Sequence, residues 1–264
     1  MAGNGACAKR RVAVAGYSGG RGTVFLAVRL TGSMLTLDRI IPLHLADVTF
    51  PAYHPLAGQD GPVYGYAIRH PDGLLLVDTG VGWDDADIDA DYQPRHQSLP
   101  EVLIAHGLNR QDVALVVNTH LHFDHCGSNR LFPRVPIYVQ ADEYTAAHTL
   151  AHFTIPTWVD FPDAHYAQVG GEHEILPSVQ LLPTPGHTPG HQSIVVETDG
   201  GRVVLAGQAI YSVAEYQHVL ATGELPAGGS GNRERALSSA KHLIGLEPQY
   251  VYFSHDHARW ERPT

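Results

Sequence analysis

Between Asn118 and Cys126 three imidazoles and one carboxylate fall within six residues, at His120, His122, Asp124 and His125. Imidazole nitrogen and carboxylate oxygen are donors suited to Zn²⁺, with Fe²⁺, Mn²⁺ and Co²⁺ as permitted rivals. A lone loop histidine is more often a hydrated surface residue than a ligand, but this density directly after an apolar run points to metal. The whole chain is rich in the same residue, with 18 histidines in 264 residues. Two metal ions about 3.5 Å apart can be fed from one short loop of this kind.

The apolar run VALVV that precedes the cluster reads as a buried strand, and loops at strand ends are where rigid scaffolds hold catalytic groups. Alternation in an extended segment puts His120, His122 and Asp124 on one side, and a turn beginning at Asp124 swings His125 to a neighbouring point. Around this junction, LTLDRIIPLHLADVTF and PVYGYAIRH alternate as half-buried strands do, while LLLVDTG is a short apolar strand closed by glycine. SLPEVLIAHGL reads as a helix with a capping box at Ser98 and Glu101 and a stop at Gly107. PIYVQ, VQLLP, HQSIVVET, RVVLAG and YVYFSHD read as further strands, and ADEYTAAHTLAHF and RERALSSAKHLIGL as helices.

Seventeen Lys plus Arg stand against 27 Asp plus Glu, a formal charge of -10. A phosphate backbone would be repelled over most of such a surface, which argues against nucleic acid. No apolar run approaches the roughly 20 residues needed to span a bilayer, and Cys7 and Cys126 are too few for a secreted disulfide framework. The expectation is a cytoplasmic monomer or homodimer with a small-molecule substrate and no membrane partner. Five basic residues and no acid precede Asp38, leaving about -15 on the remainder. Residues 1–33 read as a disordered extension and 34–264 as a single domain. Against the rival readings of the opening segment, its apolar stretch is short for a signal peptide, and Gly16 to Gly22 lack the helix and ribose-binding acid of a dinucleotide loop.

The sequence resembles the metallo-β-lactamase superfamily, whose His-x-His-x-Asp-His signature is matched by His120, His122, Asp124 and His125. The superfamily's strand-end Asp is matched by Asp78, its Gly-His-(Ser/Thr)-x-Gly turn by Gly186, His187, Thr188 and Gly190, and its C-terminal His by His255. Within it, HLHFDHCGSN, PIYVQADEY, TPGHTPGHQS and SHD are most similar to N-acyl homoserine lactonases. The resemblance implies an α+β fold, a four-layer αββα sandwich of two mixed sheets with a dinuclear site on one edge. It implies His120, His122 and His187 for a first metal, Asp124, His125 and His255 for a second, and Asp78 as the group that orients a ligand imidazole. His191 reads as a neighbouring structural histidine.

One position departs from the pattern. Where the family carries a bridging Asp that begins Asp-x-x-Tyr, this chain has Gln208, Ala209, Ile210 and Tyr211. A neutral amide oxygen bridges two cations poorly, so the second metal is expected to bind more weakly, with one or two ions held. The implied reaction is opening of an acyl homoserine lactone ring by metal-bound hydroxide, available near neutral pH because the ion lowers the pKa of its water. Tyr211 would donate to the developing oxyanion, and Asp124 would orient the hydroxide and pass a proton to the leaving alkoxide. Phe123, with Phe153, Trp158 and Phe161 of an aromatic stretch, is expected to line the acyl chain's channel. The segment YQHVLATGELPAGGSGN reads as a long connection able to serve as a lid. Alternatives are a metallohydrolase of the same fold acting on a thioester, β-lactam or phosphoester, and a metal-binding protein without turnover because of Gln208.

Overall fold

Alternation of apolar side chains sorts each strand's residues between two faces, and the buried clusters follow that sorting. The computed structural model describes residues 34–54, 56–226 and 231–263. The extension expected at 1–33 lies outside the described residues. In the first half of the chain, β1 (Ile40–Thr49), β2 (Asp60–His70), β3 (Gly73–Val77), β4 (Arg95–His96), β5 (Val113–Val117), β6 (Pro136–Gln140) and β7 (His165–Val169) form one sheet, ordered β4-β1-β2-β3-β5-β6-β7. Pairing is antiparallel from β4 through β1 and β2 to β3, and parallel from β3 through β5 and β6 to β7. Helices α1 (Ala86–Tyr92), α2 (Leu99–Ala105), α3 (Phe123–Cys126), α4 (Ala141–Thr149) and α5 (Pro156–Val159) are interspersed. The second half contributes β8 (His173–Leu176), β9 (Val179–Pro183), β10 (Gln192–Thr198), β11 (Gly201–Leu205), α6 (Val213–Thr222), α7 (Arg233–Gly245), β12 (Tyr250–Tyr252) and β13 (Trp260–Glu261). Its sheet, ordered β13-β12-β11-β10-β9-β8, is also mixed, with β11 and β12 parallel among antiparallel neighbours.

Leu75, Val77, Leu115 and Val117 of the first sheet share one cluster with Leu181, Ile194, Val196, Val203 and Leu205 of the second. Their neighbours in sequence face outward. Leu74, Leu76 and Val116 meet Leu99, Val102 and Leu103 of α2, while Val195, Val204 and Val251 meet Tyr216 and Val219 of α6 and Ala240 and Leu243 of α7. The result is the expected α+β four-layer sandwich, helices outside two facing sheets. Burying each such Leu or Val stabilises by about 1.5–3 kcal/mol. A one-residue slip would exchange the two faces of a strand, so the register is strongly fixed.

Two local expectations are corrected. Helix α2 starts after Ser98 and its chain leaves through Gly107 at φ +66, but the Ser98 hydroxyl makes no capping bond; a proline in the first two positions is the start signal instead. The first seven residues of the segment read as a long connection, 216–222, belong to α6. Ser212 accepts from the Glu215 N–H, and the Glu215 carboxylate accepts from the Tyr211 N–H, a Ser-x-x-Glu capping signal present in the sequence.

Candidate metal centre

Strands β3 and β5 are parallel neighbours, so both chains leave the sheet at the same edge, one through Asp78 and the other through Asn118 and Thr119. Asp78 sits at φ +58, a left-handed conformation that aspartate tolerates better than most residues. Its Oδ1 accepts from the Thr119 N–H at 2.7 Å, and its Oδ2 from the Thr119 hydroxyl and from His125 Nδ1, both at 2.8 Å. Asn118 donates to the His125 carbonyl at 2.9 Å, and Asn129 donates to Asn118 at 2.8 Å, folding the histidine loop back on its strand. Helix α3 begins at Phe123, one residue before the expected turn, so His120 and His122 come from extended chain and Asp124 and His125 from a helical turn.

The second histidine loop, between β9 and β10, is held by a residue that sequence reasoning missed. Glu143, fully buried in the first turn of α4, accepts from the Leu121 N–H at 2.9 Å, the Thr188 hydroxyl at 2.7 Å and the Gly190 N–H at 3.1 Å. One carboxylate thus ties the chain between His120 and His122 to the chain after His187. A Cβ at Gly190 would stand 2.1 Å from the Glu143 backbone nitrogen, so glycine is required for this approach. Little in the sequence marks Glu143, because acids are favoured in a helix's first turn whatever their role. His191 accepts from the Gln208 N–H at 2.9 Å and pairs through Nδ1 with the Thr184 hydroxyl at 2.9 Å. Both its nitrogens are engaged, as a structural histidine's would be.

Six expected ligand residues meet at this edge. Ligand atoms of His120, His122 and His187 lie within 4.8 Å of one another, as do those of His120, Asp124 and His125. His187 Nε2 is 3.1 Å from His122 Nδ1, and Asp124 Oδ2 is 3.5 Å from His125 Nε2 and 3.4 Å from His255 Nε2. Hydrogen bonds fix the tautomers. His120 Nδ1 is 3.1 Å from the Thr119 hydroxyl oxygen, whose proton goes to Asp78, and His125 Nδ1 donates to Asp78 itself. His120 Nε2 and His125 Nε2 are left buried without a hydrogen-bond partner, as is Gln208 Oε1. Buried polar atoms in that condition are costly, and a cation in their midst satisfies them, so the residues present fit a metal.

The electrostatics agree. Burial pushes His122 and His255 down to about 4, opposed by the Asp124 carboxylate, and burial with neighbouring imidazoles holds His120 and His187 well below the ordinary histidine value. These rings are neutral near pH 7, the form that binds metal. Burial would raise the Asp124 carboxyl, but His125 and His255 beside it keep it below the usual carboxylate range. His125 is the exception: burial opposes its charge, yet the Asp124 and Asp78 carboxylates push it up to about 10. A pocket that holds a proton so firmly between two carboxylates also suits a metal cation in the proton's place.

Residues 58–255 match the metallo-beta-lactamase superfamily. The chain belongs to that superfamily. It is similar to an N-acyl homoserine lactonase of Bacillus sp, 34% identical over 75% of this chain and 82% of that protein. Among solved structures it resembles a mutant of Bacillus thuringiensis AiiA with N-decanoyl-L-homoserine bound at the active site, at a TM-score of 0.71 and 28% identity over 84% of this chain and 95% of that one. A second is an N-acyl homoserine lactone hydrolase with its product N-hexanoyl-L-homoserine at the catalytic metal center, at a TM-score of 0.68 and 30% identity over 83% of this chain and 92% of that one.

In this superfamily member Tyr211 is half-buried, its hydroxyl 3.5 Å from His187 Nδ1 and its ring stacked on His255 at 5.5 Å. Phe153 lies edge-on to His122 at 4.9 Å, and Phe123 packs on Tyr92 at 4.4 Å, so both stand beside the ligand residues. Trp158 and Phe161 have other neighbours. Trp158 is buried where it blocks any Cβ at Gly82, and Phe161 is half-buried against the cluster of Leu74, Leu76 and Val116. His54 and Tyr92, which the sequence did not single out, are shifted mainly by burial, and the Asp124 charge acts on both.

Proposed function

We propose that this protein is a zinc-dependent lactonase that opens the ring of N-acyl homoserine lactones, with residues 34–264 as its single catalytic domain. The observation that carries the reading is the convergence of His120, His122, Asp124, His125, His187 and His255 beside Tyr211 in a chain 34% identical to an N-acyl homoserine lactonase. His120, His122 and His187 would hold the ion, with Asp124 and His125 next to it. When bound, such an ion lowers the pKa of a water toward neutrality and polarises a carbonyl oxygen.

The chain's own groups supply the rest. Tyr211 would donate its hydroxyl proton in a hydrogen bond to the lactone carbonyl oxygen as charge develops there. Asp124 takes the proton from the attacking water and returns it to the ring oxygen as the carbonyl carbon to ring oxygen bond breaks. Water's oxygen ends in the new carboxyl group, which gives up water's second proton to solvent, and the ring oxygen becomes the homoserine hydroxyl. Asp78 and Thr119 engage Nδ1 of His125 and His120, so that Nε2 is the nitrogen each ring turns toward the ion. Phe123 and Phe153 would give the acyl chain an apolar wall. No strongly basic group lies among these site residues, which disfavours a phosphoester substrate.

The test is ring opening of N-hexanoyl- and N-decanoyl-L-homoserine lactone by purified, metal-analysed protein, with His122→Ala as control. Hydrolysis that the control loses is the expected result. Metal-loaded protein inert on every lactone but active on a thioester would overturn the substrate assignment.

A further inference from the structure

Gln208 does more than omit a carboxylate. His255 Nδ1 lies 2.9 Å from the Pro62 carbonyl oxygen. A carbonyl only accepts, so Nδ1 carries the ring proton and the lone pair is on Nε2. That lone pair is what a metal would need, and Gln208 Nε2 stands 2.7 Å from it. The amide's orientation is dictated by this contact, since the carbonyl end in the same place would set two lone pairs against each other. The NH₂ group therefore donates to His255, and Gln208 Oε1 is the atom left buried without a hydrogen-bond partner. The Gln208 backbone is pinned as well: its N–H donates to His191, which pairs in turn with Thr184.

We infer that the Gln208 carboxamide caps His255 and removes it from the ligand set, so that the centre holds one divalent ion per chain, on His120, His122 and His187, instead of a pair. The inference rests on the metal-centre reading above and not on the lactone as substrate. Two observations converge on it. The three imidazoles of the first group come together without help from Gln208 or His255. Around the second position, one of the three expected ligands has its bare nitrogen occupied by a hydrogen-bond donor. The orphaned Gln208 Oε1 is a neutral oxygen, better suited to a single cation than to bridging two. Asp124 then remains a carboxylate not neutralised by a second cation, as a proton-transferring role requires.

The experiment strips the full-length protein with chelator, reloads it with excess Zn²⁺, and measures bound metal after dialysis; a Co²⁺-loaded sample gives the electron paramagnetic resonance spectrum. Wild-type protein should retain one equivalent and show an isolated Co²⁺ ion. Gln208→Asp should retain two, with the second ion bound at least tenfold more tightly than in wild type and the Co²⁺ pair spin-coupled. His255→Ala should leave the wild-type stoichiometry at one, and this variant decides the matter should a buried aspartate impair folding. Two equivalents in wild type, one of them lost in His255→Ala, would overturn the inference. Retention of no metal by wild type would overturn it together with the metal-centre reading. One tightly held ion in a protein inert on lactones would support it while sinking the substrate assignment.

Discussion

Glu143→Gln is close to isosteric, yet the structure predicts that it is damaging. Both carboxylate oxygens act as acceptors, one for the Leu121 N–H and the other for the Thr188 hydroxyl and the Gly190 N–H. Glutamine has one acceptor oxygen and one NH₂, so either orientation sets a donor against a buried backbone N–H. Turned toward Thr188 and Gly190, it leaves the Leu121 N–H unsatisfied, at about 1–3 kcal/mol, and loses a charge-assisted bond of about 1.5–3 kcal/mol. One term opposes this. Burial pushes the Glu143 carboxyl up to about 6, so keeping it ionised at neutral pH costs about 2 kcal/mol that glutamine avoids. The balance is a destabilisation of about 2 kcal/mol, a large share of the roughly 5–15 kcal/mol that holds a domain folded. Urea unfolding of metal-free protein, followed by fluorescence of Trp83, Trp158 and Trp260, measures it. Metal affinity should fall at the same time, because the two histidine loops lose their common tie. A loss below about 1 kcal/mol would refute the account of Glu143 as the joint between them.

Two further outcomes follow from the supporting shell. Asp78→Asn keeps a residue type that tolerates φ +58 but places NH₂ where an oxygen accepts, so Zn²⁺ affinity by calorimetry should drop about 10- to 100-fold with little change in circular dichroism; a change below threefold would contradict the role assigned to Asp78. The metal-free protein should also be acid-sensitive. Burial holds His122 and His255 down to about 4 and His191 down to about 3, while the unfolded chain titrates near 6.5, so between those values the unfolded state binds the extra protons. Stability should fall as pH drops from 6.5, by roughly 2 kcal/mol per histidine at pH 5. His125, protonated below 6.5 in both states, adds no slope there. Melting temperatures that do not change between pH 7 and pH 5 would contradict the buried, neutral state of these rings.

Short apolar runs bounded by turn residues are a property of consecutive residues, and they were enough to place β3, β5, β10 and β11, but a continuous run does not say which of its side chains enter the inter-sheet core and which meet the helical layers; packing decides that. The metal-binding loop was equally legible, because four ligand residues within six positions need no partner elsewhere to be conspicuous. Even α6 was written locally, in the Ser212 and Glu215 capping signal. Contacts between residues far apart in the chain were not. Trp158 and Phe161 carry the same aromatic character as Phe153, and only packing decides that Trp158 is buried and Phe161 rests on the first sheet's cluster while Phe153 meets His122. Glu143 differs from an ordinary first-turn acid only because Gly190 lets the second loop close onto it. The sequence by itself determined that Gln208 stands where a carboxylate was expected. Tertiary structure alone decided what the amide does there, because Pro62, 193 residues from His255, fixes which imidazole nitrogen is bare and so which end of the amide faces it.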